Sequence, residues 1–122
     1  MNYVGQSFHS MQCGHACISM ITGESIQEIC KNLQNNWSLS LRGDIMFYLN
    51  SKGYKTRLVQ GVDITLDEIP NDSVVRFQYP NEIGHFVLKR NNKFYDPNIG
   101  EVLKYKDDHV VTHWLQYQII EK

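Results

Sequence analysis

The apolar pattern of this chain changes period at Gly53, and that change limits the available folds more than any other feature. Before it, apolar residues recur at helical spacing, and after it they fall in short alternating or continuous runs of the kind strands use. A first helix is predicted from near Cys13 to about Ile21, because Cys13, Ala16, Cys17 and Met20 share one face and Thr22-Gly23 supplies a stop. Ser25-Ile26-Gln27-Glu28 has the capping-box form and opens a second helix, whose inner face is Ile26, Ile29, Cys30 and Leu33. A third is predicted over 41–51 with Ile45, Met46 and Leu49 inward, ended by Lys52-Gly53. Helices first and strands afterwards, with no repeat or linker between them, imply an α+β fold. At 122 residues, 42% of them hydrophobic, the chain suits a single domain, 1–122, built on one core.

In the second half, 56–59 and 73–78 are predicted as short strands, with one capped helical turn at Thr65-Leu66-Asp67-Glu68 ended by Pro70. Residues 83–90 form a clear strand, Asn91-Asn92 a tight turn, and 93–96 its returning partner. Pro97-Asn98-Ile99-Gly100 turns the chain again, 101–104 extends the meander, and 115–120 alternates well enough to be a final strand. The stretch 106–114 is assigned to a short helix, on which Val110, Val111 and Trp114 would share a face and His109 and His113 would lie one turn apart.

Charge excludes some partners. Twelve Lys plus Arg against thirteen Asp plus Glu leave a net charge of -1, so no overall field exists to hold nucleic acid or an anionic membrane. The clusters around Lys89-Arg90-Lys93 and 52–57 are expected to be solvated hairpin or turn surfaces, and Phe47, Tyr48, Phe77, Phe86 and Trp114 to be core rather than a base-stacking platform. No apolar run approaches the length of a spanning helix, and Met1 to Gln6 lack the regions of a signal peptide, which implies a cytoplasmic protein. Three cysteines, Cys13, Cys17 and Cys30, suit reduced thiols. A zinc site from His9, Cys13, His15 and Cys17 is disfavoured, since His15 would project away from the cysteine face and paired-ligand spacing is missing. No metal or organic cofactor is expected.

The segment 6–17 carries the chemistry, because it puts Cys13 at the start of a helix. There the free N–H groups and the helix dipole favour a thiolate, the nucleophilic form. Gly14 is expected to allow close approach of a substrate carbonyl, and Cys17 and Cys30 to serve packing. A thiol nucleophile needs a base, and the base needs an orienting group. Pairing around Asn91-Asn92 sets residues whose numbers sum to about 183 opposite each other, which makes Asp96 a diagonal neighbour of His85. Gln6 and Gln12 are the candidates for a side-chain amide that would join the Cys13 N–H in holding an oxyanion. Trp37, in a polar loop, is a candidate to flank a substrate groove.

A Gln ahead of Cys-Gly-x-Ala-Cys, then Gly84-His85-Phe86-Val87-Leu88, then Tyr95-Asp96-Pro97 with Gly100 resembles the papain-like cysteine peptidases of the bacteriocin-processing, double-glycine-cleaving kind. The resemblance implies an N-terminal helical layer packed on an antiparallel sheet. It also implies Cys13 as nucleophile, His85 as general base and acid, Asp96 as orienter and Gln6 as the oxyanion-hole amide. The implied activity is hydrolysis of a peptide or amide bond in a protein or peptide substrate, through a thioester and without cofactor. Small bacterial or phage relatives of this fold widen the expectation to a glutamine deamidase or transglutaminase-like effector, or to an inactive domain that only binds peptide.

Overall fold

The computed structural model describes residues 3–5, 12–61, 65–78, 84–97, 99–103 and 110–119. Helix α1 spans Cys13–Thr22 and stops where Gly23, at φ 81°, turns left-handed and returns its N–H to the Ser19 carbonyl. Ser25 caps α2, Ile26–Leu33, by accepting the Glu28 N–H at 3.1 Å. Of the four residues predicted on its inner face only Ile29 is fully buried, and Ile26, Cys30 and Leu33 are half-buried at its margin.

The third helical stretch departs from expectation. It begins as a π-helical segment, Leu41–Met46, and becomes α-helical only over α3, Phe47–Ser51. Ser40 caps it by accepting the Gly43 N–H, and a Cβ on Gly43 would lie 2.8 Å from that hydroxyl oxygen, which explains the glycine. The wider π turn carries Phe47 out of the phase an α-helix would have given it, so Phe47 is exposed rather than buried, while Ile45, Tyr48 and Leu49 still point inward.

The six strands are β1 (Tyr54–Gln60), β2 (Ser73–Gln78), β3 (Gly84–Arg90), β4 (Lys93–Asp96), β5 (Gly100–Val102) and β6 (Val110–Ile119). They form one antiparallel sheet in the order β1-β6-β2-β3-β4-β5, so the last strand enters between the first two. Strand alternation sends Val74, Phe86, Leu88 and Leu115 to the face that packs on Ile18, Ile29, Ile45 and Leu49 of the helices. Val75, Phe77, Val87, Phe94 and Trp114 line the opposite face, with Ile69 beside the 3-10 turn Leu66–Glu68. Burial on both faces explains why these strands read as continuous apolar runs.

Two sequence-based expectations fail in the sheet. Residues 110–114 belong to strand β6, not to a helix. The register slips at Thr112, where Arg76 faces His113 but Phe77 faces Val111. This extra residue sets Val111 and Trp114 three apart on one face, a spacing that imitates a helix. Lys89 is not part of a solvated hairpin tip either. It lies on the same face as Val87, is 6% exposed, and donates from Nζ to the carbonyls of Leu66 and Ile69 at 3.1 and 2.7 Å, tying the 3-10 turn to the sheet. Among the described residues no helix is long and apolar enough to cross a membrane.

Candidate active site

Cys13 is the first residue of α1 and is half-exposed. Its helix start has no side-chain cap and no acidic residue in the first turn, and the first intrahelical bond runs from the Ala16 N–H to the Gln12 carbonyl at 2.9 Å. The N–H groups ahead of Ala16 are thus left by the helix itself for an incoming oxygen. Gly14 is buried, and a Cβ there would meet Ile45 Cδ1 and the Leu39 side chain at 3.3 Å, so close packing beneath the helix start also favours glycine.

The β3–β4 hairpin supplies the imidazole and the carboxylate. Asn91 and Asn92 adopt φ 54° and 60°, the left-handed pair that a two-residue turn requires. The pairing that follows, Arg90 with Lys93, Lys89 with Phe94 and Leu88 with Tyr95, is the register expected from that turn. His85 Nε2 and Asp96 Oδ1 lie 2.7 Å apart, with the two side chains 5% and 1% exposed. Cys13 is near enough to His85 to raise its proton affinity, and with Nε2 engaged by Asp96 the ring nitrogen left over is Nδ1. The structure thus brings Cys13, His85 and Asp96 into one connected set.

The electrostatics follow from that geometry. Burial works against a charge on His85, but hydrogen bonds and charge interactions with Asp96 and Cys13 overcome it and lift the imidazole from 6.5 to about 9. Phe77, directly opposite on β2, sets its ring edge-on to the imidazole at 5.6 Å and closes that side to water. The Asp96 backbone is held as well, since its carbonyl accepts the Tyr3 hydroxyl at 2.7 Å and the Ile99 N–H at 3.2 Å.

Gln6 lies outside the described residues. Gln12 is described, and its amide turns away from the thiol: Nε2 donates to the Asn36 carbonyl at 3.1 Å and toward Cys30 Sγ at 3.7 Å. Cys17 is fully buried one turn after Cys13, where burial first, then the neighbouring Cys13 and Asp96, pushes its thiol well up. Sequence reasoning missed His15. It is fully buried, with Nε2 at 2.7 Å from the Asn35 carbonyl, and with Gln12 it fastens the loop bearing exposed Trp37 to the start of α1. His113 sits on β6, and His9 and His109 fall outside the described residues.

No protein-family model matches the chain, and neither does any curated protein. Solved structures do match. The peptidase domain of Streptococcus ComA, a bi-functional ABC transporter involved in a quorum sensing pathway, superposes with a TM-score of 0.71 over 97% of this chain and 98% of that one, at 16% identity. The chain shares the fold of that peptidase domain. Helices packed on an antiparallel sheet are thereby shared across nearly the whole of both chains.

Proposed function

We propose that this chain is a cysteine hydrolase that cleaves a peptide or amide bond through a thioester on Cys13. The observation that carries the proposal is a buried imidazole bonded to a buried carboxylate at 2.7 Å and lying beside a thiol that opens a helix. The likeness in fold to a peptidase domain agrees with it.

In this mechanism His85 takes the proton of Cys13, and the thiolate attacks the carbonyl carbon of the substrate. Negative charge then develops on the carbonyl oxygen, where the N–H groups at the start of α1 and the amide of Gln6 stabilise it. His85 gives its proton to the leaving amine, the C–N bond breaks, and the acyl group remains on sulfur. A water, deprotonated by His85, displaces the thiol and releases the acid. Asp96 holds the ring in one orientation and stabilises its protonated form throughout. Every step is proton transfer and acyl transfer, so these residues suffice without a cofactor.

The first test needs no substrate. Alkylation of Cys13 by iodoacetamide at neutral pH, followed with peptide mapping, is expected to be fast, as for an accessible nucleophilic thiol. Cys17 should stay inert in the folded chain, and His85→Ala should slow the alkylation of Cys13. A Cys13 as inert as Cys17 would sink the proposal and leave a domain that only binds peptide. Backbone cleavage of a denatured protein by the parent chain, lost in Cys13→Ala, is the expected second result. Ammonia release without cleavage would reassign the same three residues to deamidation of a glutamine side chain.

A further inference from the structure

The ladder between β3 and β4 runs from Arg90–Lys93 to Leu88–Tyr95 and stops one residue short of Asp96. On its other side Asp96 faces Gly100, the first residue of a three-residue edge strand. The carboxylate bonded to His85 is therefore carried on the last residue of β4, past the end of the pairing with the strand that bears the imidazole. A contact 2.7 Å long between two side chains needs a backbone held in place at both ends, and β3 alone does not supply that at Asp96.

Residues 3–5 lie against this point from outside the sheet. The Tyr3 hydroxyl donates to the Asp96 carbonyl at 2.7 Å, a bond between residues 93 positions apart. With the Ile99 N–H, at 3.2 Å from the same oxygen, it occupies both lone pairs of that carbonyl. The Ile99 bond is local to the turn after β4, whereas the Tyr3 bond ties the turn to a distant part of the chain. Val4 is half-buried and packs, as Cys13 does, on the apolar cluster that contains Cys17, Phe86 and Tyr95. A Cβ on Gly5 would lie 3.4 Å from the Pro97 carbonyl oxygen and 3.2 Å from the Tyr3 hydroxyl, so this stretch runs close along the Asp96–Pro97 backbone. Gln6 is the next residue in the sequence.

Tyr3 is suited to a lasting bond of this kind. Its ring is 39% exposed, so it adds less buried area than a core aromatic, and the hydroxyl is its main contribution. Burial and the nearby Asp96 carboxylate both hold the phenol above its ordinary pKa of 10.0, which keeps it a donor across the pH range of the site.

We propose that Tyr3 is a positioning residue of the hydrolase, whose hydroxyl clamps the end of β4 and so holds the Asp96 carboxylate on the His85 imidazole. The proposal rests on His85 and Asp96 as base and orienter, and its test separates the two. Titration of His85 is followed by NMR in chain labelled with 15N-histidine, which needs no substrate. Half-protonation is expected at about pH 9 in the parent chain. Tyr3→Phe keeps the ring and loses the donor, and should lower the proton affinity of His85 by about threefold to tenfold, since a looser carboxylate holds the imidazolium less well. Val4→Ala is the control: it removes packing from the same segment but keeps the hydroxyl, so it should lower Tm and leave the titration in place. A titration unmoved by Tyr3→Phe, or moved equally by Val4→Ala, overturns the clamp. So does a parent His85 that titrates at its ordinary 6.5, because it then has no held carboxylate. Alkylation of Cys13 reports on the hydrolase separately. A titration that responds to Tyr3→Phe beside an inert Cys13 keeps the clamp and counts against the hydrolase, whereas a reactive Cys13 with an indifferent titration does the reverse.

Discussion

The proton on His85 is held from two sides, and its retention sets how both activity and stability should vary with pH. Asp96 and Cys13 keep the imidazole protonated to about pH 9 in the folded chain, against an ordinary value of 6.5. Because the folded value is the higher one, the stabilisation from this pair is fully present below pH 6.5 and is lost as pH rises through about 9. Activity should share that upper limit, since the leaving amine needs the proton His85 carries. Asp96→Asn keeps the shape and a hydrogen-bonding atom near Nε2 while removing the charge. It is expected to move the basic limb of the rate profile from about 9 toward 6.5 and to flatten the fall in Tm across the same interval. Rate profiles and melting curves of parent and variant check this, and an unmoved limb would show that Asp96 does not set the proton affinity of His85. Of the candidate residues, Cys13, His85 and Asp96 were legible in order and spacing. His15 was not, because a buried histidine bonded to a loop carbonyl leaves no periodic trace, and neither was the packing role of Gly14, which depends on Leu39 and Ile45 from a distant segment.

At the scale of elements, the hairpin shows why part of this fold could be derived in advance. A two-residue Asn-Asn turn admits essentially one register, so locating the turn also makes Asp96 the diagonal neighbour of His85. That coupling can be tested at a distance from the thiol. Asn91 has φ 54°, a conformation that a β-branched residue resists, so Asn91→Val should lower stability by about 1–2 kcal/mol while Asn91→Gly changes it little. If the turn controls the register, the valine variant should also slow alkylation of Cys13 near neutral pH, through a looser His85–Asp96 contact. A destabilised variant with unchanged Cys13 reactivity would separate turn chemistry from the site. The opposite lesson comes from β6 and from the start of the third helical stretch. The bulge at Thr112 and the π turn over Leu41–Met46 each break the period on which sequence patterning relies, and two of the mis-assigned features, 110–114 and Phe47, lie at those breaks.

At the scale of the molecule, the three residues of the candidate site come from the two halves of the chain, and β6 completes the sheet that joins those halves. It pairs with β1 on one side and β2 on the other, so the sheet has no continuous path from β1 to β3 without it. It also inserts Val111, Trp114, Leu115 and Tyr117 into the two apolar layers. A buried large apolar side chain contributes roughly 1.5–3 kcal/mol, so four together reach the size of a domain's whole stability, about 5–15 kcal/mol. Removing residues 110–122 should therefore unfold the entire chain rather than fray one edge. Cys17 is the reporter, because it is fully buried between α1 and the sheet and more than ninety residues away in sequence from β6. In the truncated chain Cys17 should alkylate as fast as a thiol in an unfolded peptide, with no cooperative melting transition in circular dichroism. Continued protection of Cys17 would mean that the helices and the β2–β5 strands form a stable unit alone. Protection restored by adding a peptide of residues 109–122 would show that the last strand is what closes the sheet under the candidate site.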